Sequence, residues 1–318
     1  TFPLDRDPAC NSWYFKFIRS LVKVRGSASW QDQAEPNHLS SRRNCNPATK
    51  EFGSRQEFFI HNLQDRYMLK ALIFDVDGTL ADTERDGHRV AFNLAFKEAG
   101  ITWDWTPELY GELLAVTGGK ERIRFYAQQH DPGFLAQENV DETIRELHAS
   151  KTRHYVQLLG NGNIPLRPGV TRLLEEARKA GLTLAIATTT TPENVSALIE
   201  STLGKEAMGW FASIGAGDIV PAKKPAPDIY EHVLQELDLL ANECLAFEDS
   251  ENGIRASLGA QLATIITTNG YTLDHDFSGA VLVLDQFGEP DHAATVHTGD
   301  LGSTFLDIDG LQKIYRQL

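Results

Sequence analysis

The sequence contains little cysteine, few methionines and no long apolar run. Three cysteines in 318 residues, Cys10, Cys45 and Cys244, are too sparse and too odd in number for a disulfide framework, so they indicate a reducing compartment. No uninterrupted stretch reaches the roughly 18 apolar residues of a membrane-spanning helix, and we expect none. Basic residues are also in deficit, with 30 Lys and Arg against 44 Asp and Glu. The formal charge of −14 disfavours a nucleic-acid partner.

The remaining composition is that of a globular protein, with 42% hydrophobic and 23% charged residues. Charge is uneven along the chain, because residues 1–67 carry 10 basic and 7 acidic residues whereas the rest carries 20 and 37. Three interpretations of residues 1–67 stay open: translated sequence upstream of a start at Met68, a targeting segment, or an accessory tail. We expect the folded body of the protein to begin at residue 68.

From residue 68 onward, apolar runs of strand length alternate with helical patterns. This alternation predicts an α/β fold, a Rossmann-like doubly wound parallel sheet covered by helices on both faces. Residues 84–161 show helical spacing and few strand signals, which predicts a helical cap domain inserted after the first strand. The predicted core is residues 68–83 and 162–285, and residues 286–318 form an unassigned C-terminal tail. The strand-like runs are LKALIFD, LTLAIAT, WFASIGAG, CLAFED, LATIITT and AVLVLD.

Two carboxylates follow the first predicted strand, in the segment Asp75-Val76-Asp77-Gly78-Thr79. Carboxylates this close repel unless a cation lies between them, which favours an oxygen-ligand site for Mg²⁺. A calcium-binding loop fits less well, because a strand precedes the motif and Asp86 stands where that loop needs Glu. A plain turn is the other alternative. The similar run Leu306–Gly310 lacks the threonine, and we interpret it as the approach to a helix.

Three further polar signals lie at the ends of later strands. Thr188 to Thr191 stand before Pro192, at a strand end and helix start that suit a phosphate oxygen, although a polar turn is the alternative. Lys224 precedes Pro225, where a surface lysine pair is the alternative. Glu248 and Asp249 end another strand, where they could simply cap the next helix. Each signal is weak, but their order on successive β/α units is specific.

With these motifs in order, residues 69–285 resemble the haloacid dehalogenase superfamily. The resemblance implies that Asp75 is the nucleophile, that Asp77 is the general acid and base, and that Thr188 and Lys224 hold the transferred phosphoryl group. It also implies Mg²⁺ as cofactor. The implied metal ligands are Asp75, Asp77 (through its backbone carbonyl), Glu248 and Asp249. The second aspartate, Asp77, favours phosphoryl transfer, since displacing a halide needs no proton.

The predicted cap holds a possible second anion site. Gly118 and Gly119 precede a helical pattern in which Lys120 and Arg124 share one face at i, i+4 spacing. Lys151 lies in a second basic cluster, and a solvated helix face is the alternative for both. Two anion sites, one at Mg²⁺ and one in the cap, would imply a bisphosphate substrate.

The runs DVDGTLADTE, HRVAFN, TGGKERI and IATTT resemble the CbbY-like branch of the superfamily. The resemblance implies hydrolysis of xylulose 1,5-bisphosphate, a Rubisco inhibitor, to xylulose 5-phosphate. Two alternatives stay open: a β-phosphoglucomutase-like phosphoryl transfer and a non-catalytic sugar-phosphate sensor. We expect a monomer in the cytoplasm, or in the plastid stroma of a photosynthetic eukaryote, with no nucleic-acid or membrane partner. The predicted substrate contacts are Glu84, His88, Thr117, Gly118, Gly119, Lys120, Glu121, Arg124, Lys151, Thr189 and Thr190.

Overall fold

A computed structural model describes residues 68–162 and 164–318. The interpretations of residues 1–67, with Cys10 and Cys45, lie outside the described residues. Cys244 is a free, buried cysteine. None of the helices in these two ranges combines the length and the apolar character needed to cross a membrane.

A seven-stranded sheet forms the centre of the described chain, in the order β3-β2-β1-β4-β5-β6-β7. The first six strands pair in parallel, and β7 pairs antiparallel with β6. The predicted doubly wound α/β fold is therefore confirmed. The strands are β1 (Ala71–Phe74), β2 (Thr183–Ala187), β3 (Phe211–Gly215), β4 (Cys244–Glu248), β5 (Ala263–Thr267), β6 (Leu282–Leu284) and β7 (Val296–Thr298).

Helices cover both faces of this sheet, as the alternation of strand side chains requires. Leu72 and Phe74 of β1 belong to the apolar cluster on one face, whereas Ala71 and Ile73 belong to the cluster on the other. The helices are α1 (Arg89–Glu98), α2 (Pro107–Leu113), α3 (Gly119–His130), α4 (Pro132–Leu135), α5 (Val140–Gly160), α6 (Val170–Lys179), α7 (Pro192–Leu203), α8 (Asp228–Leu237), α9 (Glu251–Gly259) and α10 (Ile308–Tyr315). A π-helical turn, Glu84–His88, precedes α1, and short 3₁₀ turns occupy Lys205–Trp210 and Ala241–Glu243.

Helices α1 to α5 form the helical insert, residues 84–160, between β1 and β2. The insert has its own apolar cluster, in which Phe92, Phe96, Trp103, Trp105 and Tyr110 are buried with aliphatic side chains. The rings of Phe92 and Trp105 lie 4.7 Å apart, and those of Phe96 and Trp103 lie 5.3 Å apart. These aromatic contacts help to stabilise the insert. The exact domain boundaries given above stay a prediction.

The segment that the sequence left unassigned, residues 286–318, is part of the main body. Strand β7 extends the sheet, and Leu306, Leu311 and Ile314 are buried in the cluster that covers β1. The side chain of Asp307 accepts a hydrogen bond from the Gly310 amide at the start of α10. Leu306–Gly310 is therefore a capped helix start, as the sequence indicated.

Candidate active site

Three carboxylates meet at the carboxyl edge of the two central strands. Asp75 follows β1, Glu248 ends β4, and Asp249 is the next residue. Because Phe74 is in register with Phe247, Asp75 and Glu248 lie side by side. Oxygen atoms of the three carboxylates lie within 4.8 Å of one another, and all three residues are buried. The sequence placed these residues at one sheet edge, and the structure brings them together.

The ammonium of Lys224 lies among these carboxylates. Its Nζ is 2.6 Å from Oδ1 of Asp75, 2.5 Å from Oε1 of Glu248 and 2.8 Å from the Ala187 carbonyl. Burial alone would lower the pKa of Lys224, but the charges of Asp75 and Glu248 raise it above its ordinary value. Lys224 is therefore a buried cation, fixed by three oxygen atoms.

One ammonium does not balance three carboxylates. Burial raises the pKa of Asp75 to about 8, with Lys224 opposing the shift and Glu248 adding to it. Burial, together with the charges of Asp75 and Glu248, also raises the pKa of Asp249 well above its usual range. A further cation would relieve this repulsion.

The donor set fits a divalent metal ion. Asp75, Glu248 and Asp249 offer only oxygen atoms, the ligands that Mg²⁺ prefers. The backbone approaches closely at Gly78, which has φ of 88°, because a Cβ there would lie 2.1 Å from Oδ2 of Asp249. Glycine is therefore required at this turn. Asp77 is predicted to add its carbonyl oxygen to these ligands, and that part of the ligand set stays a prediction.

The side chain of Asp77 is held by donors from the helical insert and from Thr83, which directly precedes it. Oδ1 accepts a hydrogen bond of 2.5 Å from the Thr83 hydroxyl and lies 2.8 Å from Nε2 of His88. Nζ of Lys151 lies 2.8 Å from the other ring nitrogen of His88. If the lysine donates to Nδ1, the ring proton is on Nε2 and points at Asp77. Burial would raise the pKa of Asp77, but His88 and Thr83 lower it below its usual range.

His88 and Lys151 were predicted as substrate contacts, and the structure places them behind Asp77. Both ring nitrogens of His88 have partners within the protein. The ring also stacks on Tyr155, with centroids 4.0 Å apart. Burial lowers the pKa of Lys151 to about 8. The two residues therefore orient the Asp77 carboxylate in this structure.

The strand-end threonines lie beside the carboxylates. Thr188 is buried, its amide donates to the Gly215 carbonyl, and its hydroxyl accepts a 3.3 Å hydrogen bond from the Thr190 amide. The Thr190 hydroxyl accepts a hydrogen bond from Asn194. Thr188 and Thr189 both line the central cavity described next.

A central cavity of about 260 Å³ separates the sheet edge from the helical insert. The core side of its lining includes Asp75, Asp77, Thr188, Lys224, Glu248 and Asp249, and the insert contributes Glu84, Leu114, Ala115, Thr117 and Arg122. Asn252 of α9 joins the two sides, since its Nδ2 donates to the Ala115 carbonyl and to the Thr117 hydroxyl, each at 3.1 Å. The predicted residues Glu84 and Thr117 therefore do face the cavity.

The basic pair predicted to bind a second anion does not reach this cavity. Lys120 pairs with Asp218, and Arg124 pairs with Asp141 on the outer surface. Glu121 pairs with Lys223 of the core at 3.0 Å. Helix α3 does begin at Gly119, but Lys120 and Arg124 are engaged in these ion pairs, and the residue of this helix that lines the central cavity is Arg122. Gly118 and Gly119 instead line a smaller cavity of about 40 Å³ with His88, Lys151, Thr189 and Thr190.

The cation that the insert does place at the central cavity is Arg122, which the sequence analysis missed. Its Nη1 donates to the Tyr110 hydroxyl at 2.7 Å and lies 3.8 Å from Oε2 of Glu84. The Tyr110 hydroxyl in turn donates to Glu84 at 2.6 Å. Within the described residues, the buried Nε of Arg122 has no hydrogen-bond partner. Helical spacing puts Arg122 on the opposite side of α3 from Lys120 and Arg124, and that spacing was a signal that could have found it.

A second missed arginine, Arg167, stabilises the turn after β1. Its guanidinium donates to the carbonyls of Gly78, Thr268 and Asp285, which lie after three different strands. Arg167 is buried, so these carbonyls replace the water that its charge loses. It therefore ties the Asp75–Thr79 turn to the neighbouring strand ends.

Comparison with known proteins identifies the class to which this fold and site belong. The model of haloacid dehalogenase-like hydrolases matches residues 69–261. The plasmid CbbY protein of Cupriavidus necator is 48% identical over 244 residues, which cover 77% of this chain and 96% of that protein. A CBBY-like protein of Arabidopsis thaliana is 40% identical over 225 residues, covering 69% of this chain and 70% of its own.

A solved structure agrees with these relatives. A CbbY mutant from Rhodobacter sphaeroides in complex with xylulose 1,5-bisphosphate is 45% identical, with a TM-score of 0.65, covering 70% of this chain and 96% of that one. The chain therefore belongs to the haloacid dehalogenase-like hydrolase family. Within that family it is most similar in sequence to CbbY proteins among the relatives described here. The sequence-based prediction of the family is confirmed, and so is the prediction that the protein is an enzyme of this family.

Proposed function

We propose that this protein is a Mg²⁺-dependent phosphatase that hydrolyses a small sugar phosphate through a phosphorylated Asp75, and that xylulose 1,5-bisphosphate is its substrate. The observation that supports this most is the grouping of Lys224 with Asp75, Glu248 and Asp249 at one cavity beneath the helical insert. The xylulose 1,5-bisphosphate in the related CbbY structure supports the choice of sugar.

In the first step an oxygen of Asp75 attacks phosphorus, and the bond from phosphorus to the sugar oxygen breaks. A carboxylate approaches an anionic phosphate only where positive charge offsets the repulsion. Lys224 supplies one such charge, at 2.6 Å from Asp75. Asp75, Glu248 and Asp249 would hold Mg²⁺, which would supply further positive charge to offset this repulsion. The Thr188 hydroxyl lies at the strand end, on the cavity lining, as a donor to the phosphoryl oxygens.

Asp77 donates a proton in the first step and accepts one in the second. The departing sugar oxygen takes a proton from Asp77, and the water that later attacks the phosphoryl group returns a proton to it. The second step releases inorganic phosphate and restores the Asp75 carboxylate. Thr83 and His88 hold the Asp77 side chain in place for both transfers. Both contacts are to Oδ1, so Oδ2 is the oxygen that carries the proton for the first step and accepts one in the second.

The cavity supports a small substrate with a second polar or anionic end. At about 260 Å³ it accommodates a sugar phosphate rather than a protein side chain on a surface. Arg122 and Glu84 face it from the insert, opposite the carboxylates. A guanidinium there is suited to a phosphate oxygen, and Glu84 to a sugar hydroxyl.

A phosphate-release screen tests the proposal. The purified protein with Mg²⁺ is assayed against xylulose 1,5-bisphosphate, other pentulose bisphosphates, and pentose and hexose monophosphates, with Asp75→Asn as the control. We expect the highest kcat/KM for xylulose 1,5-bisphosphate and no release by Asp75→Asn. Formation of a sugar-phosphate isomer without inorganic phosphate would show a mutase. Binding without turnover, unchanged by Asp75→Asn, would show a sensor.

A further inference from the structure

The loop after β5, residues 268–276, connects the carboxylate cluster to the helical insert. Asn269 begins this connection, because its Nδ2 donates to Oδ2 of Asp249 at 2.7 Å. The loop is folded tightly beyond that point: Oδ1 of Asn269 accepts from the Tyr271 amide at 2.9 Å, and the Asn269 amide donates to the Thr272 hydroxyl at 3.0 Å. These hydrogen bonds therefore fix the position of Tyr271 relative to Asp249.

The Tyr271 ring packs against helix α2 of the insert. It meets the Tyr110 ring edge-on, with centroids 6.2 Å apart. It also lies over Gly111, where an added Cβ would be 3.0 Å from Cδ1 of Tyr271 and 3.3 Å from Cε1. Although it belongs to the core, Tyr271 packs with the apolar cluster of the insert. A helical glycine costs stability, so its presence here is explained by the close approach of this ring.

Tyr110 connects Tyr271 with the groups that line the cavity. Its hydroxyl bonds both Arg122 and Glu84, the two polar groups that the insert presents to the carboxylates. A continuous series of contacts thus runs from Asp249 through Asn269, Tyr271 and Tyr110 to Arg122.

We propose that Tyr271 is a positioning residue, the contact on the core against which the helical insert closes, and that it sets the distance of Arg122 and Glu84 from the carboxylate cluster. This inference rests on the proposed function for its effect on turnover. The aromatic ring, and not the hydroxyl, makes this contact, since the buried Tyr271 hydroxyl has no hydrogen-bond partner among the described residues. A substrate with anionic groups at both ends needs this spacing, whereas a small phosphate ester that meets only the carboxylates does not.

Kinetics of Tyr271→Ala and Tyr271→Phe test the role of the ring. We expect Tyr271→Ala to raise KM for xylulose 1,5-bisphosphate about tenfold, the equivalent of losing one aromatic contact. Its kcat/KM for p-nitrophenyl phosphate should change less than about twofold. Tyr271→Phe keeps the ring and should recover the wild-type KM. Equal losses on both substrates, or a loss in Tyr271→Phe as large as in Tyr271→Ala, would overturn the inference.

Gly111→Ala tests the same contact from the insert. The added methyl group would press on the Tyr271 ring and raise KM in the same direction. In the double variant with Tyr271→Ala the methyl group has space, so Gly111→Ala should add no further loss. Gly160→Ala is the matched control, a helical glycine with nothing within 4 Å of its Cβ position. Additive losses in the double variant would contradict a contact between these two positions.

Amide hydrogen exchange separates this inference from the proposed function. Exchange over residues 107–124 is followed in the wild type and in Tyr271→Ala, with Mg²⁺ and without substrate. We expect faster exchange in Tyr271→Ala, because the insert has lost one of its contacts with the core. Unchanged exchange would refute the inference even if the protein is a phosphatase. If no sugar phosphate is hydrolysed at all, the proposed function fails and the exchange result still decides the role of Tyr271.

Discussion

Removal of the Lys224 ammonium should destabilise the protein far more than removal of an ordinary lysine. Its side chain is 4% exposed and contacts both Asp75 and Glu248. Lys224→Met leaves these carboxylates buried with no ammonium between them. Losing one partner of a buried ion pair costs about 3–5 kcal/mol, and we expect a loss of that size at neutral pH. Added Mg²⁺ should recover part of it, because a second cation then offsets the same repulsion.

Urea unfolding followed by circular dichroism, in chelator and then in Mg²⁺, measures this loss. Lys179→Met is the matched control, since Lys179 is 77% exposed and pairs with Glu175 one helical turn away. That variant should lose less than about 0.5 kcal/mol. A loss below about 1 kcal/mol for Lys224→Met, as for an exposed pair, would refute the reasoning. So would a loss that Mg²⁺ leaves unchanged.

Three further substitutions test the roles of individual residues in the site. Asp75→Asn should abolish phosphate release while leaving the circular dichroism spectrum unchanged; residual turnover above a tenth of wild type would count against a nucleophilic role. Asp77→Asn should lower kcat by about 10²–10⁴-fold, the usual contribution of a general acid and base, and a normal pre-steady-state rate would contradict it. Arg122→Ala should raise KM for a bisphosphate more than Lys120→Ala does, since only Arg122 faces the central cavity; the reverse order would show that the insert rearranges on binding.

The sheet could be predicted from the sequence because its central strands are nearly unbroken apolar runs. β1, β4 and most of β2 are buried on both faces, so their burial leaves a direct signal in composition. The motif carboxylates could be placed for the same reason, since each follows such a run. Strand β7 could not, because its three residues, Val296–Thr298, are all exposed and it is held by pairing with β6 alone.

The insert side of the site was harder to predict because helical spacing does not say which face turns inward. Lys120 and Arg124 share a face of α3, and both form ion pairs, with Asp218 and Asp141, away from the central cavity. Arg122 lies two residues after Lys120, on the opposite side of the helix, where it faces the central cavity. The partners of His88 depend on a contact with Lys151, 63 positions along the chain, which no local pattern records. Tyr271 likewise meets Tyr110 across a long separation, so its contact with the insert needed the folded structure.

The most direct measurement is the chemical trapping of the intermediate. The protein turning over xylulose 1,5-bisphosphate with Mg²⁺ is quenched rapidly in acid, digested and analysed by tandem mass spectrometry. The proposal predicts the mass of one phosphoryl group on Asp75, lost in Asp75→Asn and accumulated when the second step is slowed. Turnover with an unmodified Asp75, or with the phosphoryl group on a different residue, would contradict it.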